Sequence, residues 1–150
     1  KMLEMTGGAV VTMAETYLGL RHGPMSSLDQ QTLVVGFLSP DPAVRAYELD
    51  LLRELSRKQL GMTRVLVGEG IPLDVLGPHD VAVELAGLDA ADDALPLLAD
   101  VVVGQLLAFF RCLALGGQPD TPSQGVLTRV VEHFPMHRER SSENEHEGEA

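Results

Sequence analysis

A chain of 150 residues, 45% of them hydrophobic, is of single-domain size and can bury a proper core. Its formal charge of -11 at pH 7 argues against a nucleic-acid phosphate backbone and an anionic membrane surface as partners. A phosphorylated small molecule stays open, since it needs only local donors, and a single cysteine allows no internal disulfide, which fits a reducing, cytoplasmic compartment.

In chain order, Lys1-Met2-Leu3-Glu4-Met5 is helix-compatible and stops at Gly7-Gly8, a C-terminal signal. It reads as the end of a helix that begins upstream, so the chain is expected to be a fragment or processed piece. Glu4 interrupts the early apolar run, and nothing nearby reads as a signal peptide. Ala9 to Met13 is a short strand candidate, and Glu15 to Leu20 a helical turn feeding His22-Gly23-Pro24. Pro24 has no amide proton and restricts Gly23, so His22 sits on a fixed backbone. An imidazole there can both give and take a proton at neutral pH, which is what general acid-base work needs. A plain turn or capping histidine is the alternative.

Thr32 to Leu38 is continuously apolar, which predicts a central parallel strand buried on both faces. Ser39-Pro40-Asp41-Pro42 opens a helix with Asp41 as N-cap and Pro42 at the first helical position. Val44, Tyr47, Leu51 and Leu55 recur at helical spacing, Glu54 can pair with Lys58, and Gly61 ends the run. Thr63 to Val67 is the next strand, giving a strand-helix-strand crossover. Gly68 and Gly70 are too sparse for a dinucleotide fingerprint and read as loop, so no cofactor is implied.

Val81 to Leu85 is a third strand, followed by an acidic loop, Asp89 to Asp93. The apolar segment Leu95 to Leu115 has the length of a membrane span but contains Asp100, Gln105 and Arg111. Charges near mid-span cost about 2.5 to 3.5 kcal/mol each, so a buried helix packing on the sheet or a second subunit is the better reading. Cys112 lies on it as a small core residue. Gln124 to Glu132 is a loop or short strand carrying Arg129. From His137 the chain is charged and polar, predicting a disordered acidic tail over 137–150 behind a folded part over 1–136. His137 and His146 are not spaced for a metal, and no metal is implied.

Several separated stretches resemble the second sugar isomerase (SIS) domain of the tagatose-6-phosphate ketose/aldose isomerase family, whose members are also described as galactosamine-6-phosphate deaminase-isomerases. They are Leu18-Gly19-Leu20-Arg21-His22-Gly23-Pro24, the run Thr32 to Ser39, the helix Tyr47 to Leu55, Leu106 to Phe110, Leu115-Gly116, Pro119 to Pro122 and Thr128 to Val131. The resemblance covers most of residues 1–137. It implies an α/β fold, a three-layer parallel sheet with flanking helices, SIS-like and flavodoxin-like, here N-terminally truncated. The family's Ser/Thr-rich phosphate loops belong to a first SIS domain, which this sequence does not contain.

The resemblance also implies residue roles. His22 matches the His-Gly-Pro histidine that opens the sugar ring in the related glucosamine-6-phosphate synthases, often from a neighbouring subunit. Lys1 and Glu4 look like a Lys-x-x-Glu helix in which the glutamate moves the proton between C1 and C2. Arg21 and Arg129 are candidate substrate-binding cations, and Arg129 can act only electrostatically because an arginine is neither amine nucleophile nor base. The chemistry suits these types: aldose-ketose exchange passes through an enediol or enolamine, so one base must reach both carbons while donors hold the developing oxyanion. A buried glutamate with a raised pKa would suit the shuttle.

The function implied is the catalytic half of a phosphosugar aldose-ketose isomerase or aminosugar-phosphate deaminase, inactive as a fragment alone. Its partners would be a phosphorylated sugar or aminosugar and a second copy or a first SIS domain, with neither nucleic acid nor membrane. The alternative is a non-catalytic SIS module that binds a phosphosugar effector or mediates dimerisation.

Overall fold

The computed structural model describes residues 1–87 and 94–122. Arg129, the acidic loop and the acidic tail lie outside those residues. Three strands, β1 (Leu33–Phe37), β2 (Thr63–Gly68) and β3 (Val81–Glu84), form one parallel sheet in the order β1-β2-β3. Leu33 pairs with Thr63, Phe37 with Val67, and Val65 with Val81 on the far side. The central strand is therefore β2, buried from Arg64 to Gly68, not β1 as the apolar run predicted. β1 stands at the edge among the described residues, with Leu33 exposed, so its run reports packing on its neighbours rather than two paired sides. Residues 9 to 13 form no strand; their apolar side chains find no sheet partner, and Val11 is 88% exposed.

Four helices accompany the sheet among the described residues: α1 (Met2–Met5), α2 (Tyr17–Arg21), α3 (Pro42–Lys58) and α4 (Ala94–Ala114). α3 starts where the sequence says, because the Asp41 carboxylate accepts from the N–H groups of Ala43 (2.7 Å) and Val44 (3.1 Å). It stops before Gly61, at Gln59, which takes the left-handed conformation with φ 54°. Its buried face is Glu48, Leu51, Leu52 and Leu55, whereas Val44 and Tyr47 are exposed. Leu51 and Leu55 lie on the buried face as the spacing suggests, while Glu48 takes the inner position of the first turns that the spacing gives to Val44 and Tyr47. Leu51, Leu52 and Leu55 pack with Leu66, Leu38, Leu28, Ile71 and Val75 as the main core.

The lower end of the sheet is tied by a buried ion pair. Asp80 accepts from the Arg64 backbone N–H (2.8 Å), from Arg64 Nε (2.7 Å) and from the Gly77 N–H (2.7 Å), and also meets Arg64 Nη2. The same guanidinium donates to the Leu52 carbonyl (3.1 Å) and the Ser56 hydroxyl (2.5 Å), so one residue joins β2, the approach to β3 and α3.

α4 matches its predicted bounds, but it packs on α1 rather than on the sheet. Met5, Ala108 and Cys112 are buried together there, with Met2 beside them, and Cys112 is the small core residue expected. Much of the helix's apolar surface stays open: Leu97, Leu98, Leu106 and Phe110 are all about half exposed or more. Pro96–Ala114 has a mean hydropathy of 1.8 and is 11% buried, so by length and composition alone it is apolar enough to cross a membrane.

Candidate functional site

The His22 region is built by α2. Five residues are too short a helix to hold themselves, so caps and side-chain ties set its place. Thr16 is the N-cap, its hydroxyl accepting from the Gly19 N–H at 2.9 Å. Tyr17 donates its hydroxyl to the Phe37 carbonyl at 3.0 Å, at the C-terminal end of β1. Burial pushes the Tyr17 phenol well above its ordinary pKa, with Glu48 and Asp100 adding to the effect and Arg45 opposing it. Arg21 places Nε 2.9 Å from Glu54 Oε2, and Glu54 also holds Lys58 Nζ at 2.6 Å. The lysine's hydrogen bond comes first among the causes that keep Glu54 below the usual carboxylate range.

His22 follows as the C-cap, its backbone N–H donating to the Gly19 carbonyl at 3.2 Å. The residue is exposed, and its imidazole makes no hydrogen bond or ion pair among the described residues. Arg21, a candidate substrate-binding cation, is paired with Glu54.

Lys1 and Glu4 do come together. Lys1 Nζ lies 2.7 Å from Glu4 Oε1, one turn apart on α1, and both side chains are exposed. The lysine's hydrogen bond lowers the Glu4 pKa against the opposing effect of burial, so Glu4 is neither the buried nor the raised carboxyl that the shuttle would favour. Lys1 also lines an open groove of about 500 Å³ between α1 and α4, with Met5, Val102, Gln105, Leu106 and Phe109. α1 sits on α4 while α2 sits on α3, and among the described residues no hydrogen bond or ion pair joins His22 to the Lys1–Glu4 pair.

Polar groups that the sequence did not single out gather at the C-terminal edge of the sheet, where open parallel sheets bind ligands. Glu48, 7% exposed, accepts from the Ser39 N–H at 2.8 Å, and burial raises its pKa against that hydrogen bond and Arg45. Arg45 Nη2 donates to the carbonyls of Glu69 and Gly70. Glu84 accepts from the N–H groups of Gly70 (2.8 Å) and Ile71 (2.9 Å). The only trace of this in the sequence was the glycine pair after the second strand. No group of three or more His, Cys, Asp or Glu side chains is placed to hold a metal among the described residues.

The sheet and its helices define an α/β domain of the SIS type. No family model matches the chain. It is 35% identical to the putative D-galactosamine-6-phosphate deaminase AgaS of Escherichia coli (strain K12) over 139 residues, 91% of this chain and 35% of that protein. To the putative D-galactosamine-6-phosphate deaminase AgaS of Streptomyces coelicolor it is 36% identical over 138 residues, again 91% of this chain and 35% of that protein. The crystal structure of tagatose-6-phosphate ketose/aldose isomerase from Escherichia coli superposes with a TM-score of 0.73 at 31% identity, covering 89% of this chain and 34% of that one. These likenesses are consistent with an SIS domain of the tagatose-6-phosphate ketose/aldose isomerase family. It spans about a third of the length of these relatives.

Proposed function

We propose that this chain is the histidine-bearing SIS domain of a phosphosugar isomerase or deaminase, acting on substrates of the tagatose-6-phosphate or galactosamine-6-phosphate type. The observation that carries the reading is His22: exposed, without a side-chain partner among the described residues, and held at the end of a short helix tied at both ends. An imidazole so presented is free to exchange a proton with a ring oxygen. In this reading His22 takes the proton from the anomeric hydroxyl and returns one to the ring oxygen, opening the sugar. Glu4 then removes the C2 proton to give an enediol or enolamine and delivers it to C1. Lys1 stabilises the developing oxyanion. With an amine at C2 the product imine hydrolyses to ketose and ammonia; with a hydroxyl the product is the ketose directly. Arg129 supplies positive charge toward the phosphate.

With no hydrogen bond or ion pair joining His22 to the Lys1–Glu4 pair among the described residues, the reading favours an assembly in which His22 of one copy completes the site of another. Docking a partner over α1 would also desolvate Glu4 and raise its proton affinity toward what the shuttle needs. The edge of β1, unpaired among the described residues, and the apolar surface of α4 are the surfaces available for a second copy or a first SIS domain. The same surfaces support a second reading, a non-catalytic module that dimerises or binds a phosphosugar effector. We place the protein in the cytoplasm, with α4 packing on protein.

The test is ammonia release and ketose formation from galactosamine-6-phosphate in heavy water, by the chain alone and mixed with the first SIS domain of a relative. Incorporation of deuterium that stops in Glu4→Gln supports the proton shuttle. Turnover and exchange untouched by Glu4→Gln and His22→Ala alike would leave the non-catalytic module.

A further inference from the structure

Arg21 precedes the catalytic candidate His22 and looks, by position, like a phosphate ligand. In the fold it meets a carboxylate of α3. Its Nε is 2.9 Å from Glu54 Oε2, close enough for an ion pair though not aligned for a hydrogen bond, with its side chain 30% exposed and that of Glu54 18%. At the other end of α2, Tyr17 reaches the Phe37 carbonyl of β1. Gly36 makes room for that contact, since a Cβ on it would fall 2.8 Å from the Tyr17 hydroxyl and 3.1 Å from a Leu66 methyl. One tie runs to the sheet and one to α3, and they act beside the Thr16 cap and the packing of Tyr17 and Leu20 on the core.

We propose that Tyr17 and Arg21 are positioning residues, a two-point clamp that fixes how α2 presents His22, and that Arg21 does not bind substrate. The proposal rests on the acid-base reading of His22. A helix held at one end only can swing about the remaining tie, carrying the imidazole with it, and displacement of an acid-base group by about an ångström is enough to cost a large part of its rate.

The test uses the 150-residue chain and nuclear magnetic resonance. Tyr17→Phe removes one tie and keeps the ring; Glu54→Gln removes the charge opposite Arg21. Each is expected to speed hydrogen exchange at the His22 and Gly23 amides, by roughly three- to tenfold for the lost Tyr17 hydrogen bond and by roughly two- to fivefold for the partly exposed ion pair. Carbon relaxation of the His22 imidazole should show greater mobility, while the Leu66 and Val67 amides keep their protection. Arg21→Glu combined with Glu54→Arg should restore both readouts relative to Arg21→Glu alone. Unchanged exchange around His22, equal loss at Leu66 and Val67, or failure of the exchanged pair to restore order would each overturn the clamp. The acid-base reading is decided separately by His22→Ala in the turnover assay, because that variant leaves both ties in place.

Discussion

Replacing Asp80 by asparagine should weaken the fold by about 3 kcal/mol, because removing one partner of a buried ion pair typically costs about 3 to 5 kcal/mol and asparagine keeps one acceptor oxygen. The side chains of Arg64 and Asp80 are 8% and 6% exposed, so water cannot take over the guanidinium that is left behind. The Gly77 and Arg64 N–H groups compete for the single remaining acceptor. Urea unfolding at pH 7 reads the loss as a lower midpoint at unchanged slope; with a slope of about 1 to 3 kcal/mol/M the shift is about 1 to 3 M. Burial alone would raise the Asp80 pKa, but the hydrogen bonds from Arg64 and Gly77 outweigh it and hold the carboxyl below its ordinary value. The contribution is therefore complete above the unfolded pKa, about 3.9, and fades as pH falls through the lower folded value. The difference between wild type and Asp80→Asn should shrink in strong acid. Arg64→Met with Asp80→Leu should not restore the stability, since the Arg64 and Gly77 N–H groups would still lack their acceptor. A loss below about 1 kcal/mol at pH 7 would refute the claim that this pair organises the lower end of the sheet.

Gly36→Ala should cost about 1 to 3 kcal/mol in the same titration, because the new methyl meets the Tyr17 hydroxyl and Leu66. Asp41→Ala should cost about 1 kcal/mol through the lost cap of α3. Glu48→Gln keeps an acceptor for Ser39 while removing a buried charge whose folded pKa is raised. The penalty of that charge develops as pH rises from the ordinary glutamate value through the folded one, so the glutamine variant should be no less stable than wild type at pH 7 and should lose its advantage in acid. Leu106→Glu with Phe110→Glu should lower any self-association seen by sedimentation velocity, as both side chains stand on the open face of α4.

The α/β character was legible because its signals are local. Asp41 and Pro42 announce a helix start, three apolar runs announce strands, and the glycines after Met5 and Ala114 announce stops. Strand order was not local: β1 and β2 are both apolar, and which one is central depends on where β3 adds. The inner face of α3 was misread in its first turns because Glu48, a charged residue, lies on it, its carboxylate satisfied by the Ser39 N–H. His22 was legible as a fixed histidine from Gly23-Pro24. Its clamp was not, since Tyr17 meets a carbonyl twenty residues away and Arg21 a carboxylate on another helix. The resemblance put Lys1 and Glu4 on one helix, where their side chains do meet, but it carries no information about exposure, and the structure leaves both in solvent.

The most direct measurement of the central claim is the ratio of turnover on cyclic and acyclic substrates in His22→Ala, made on the chain joined to a first SIS domain. If His22 opens the ring, the variant should slow a cyclic aminosugar phosphate by roughly 10²- to 10⁴-fold, the usual loss of an acid-base group, while an acyclic analogue is turned over at close to the wild-type rate. Equal slowing of both substrates, or of neither, would contradict the account.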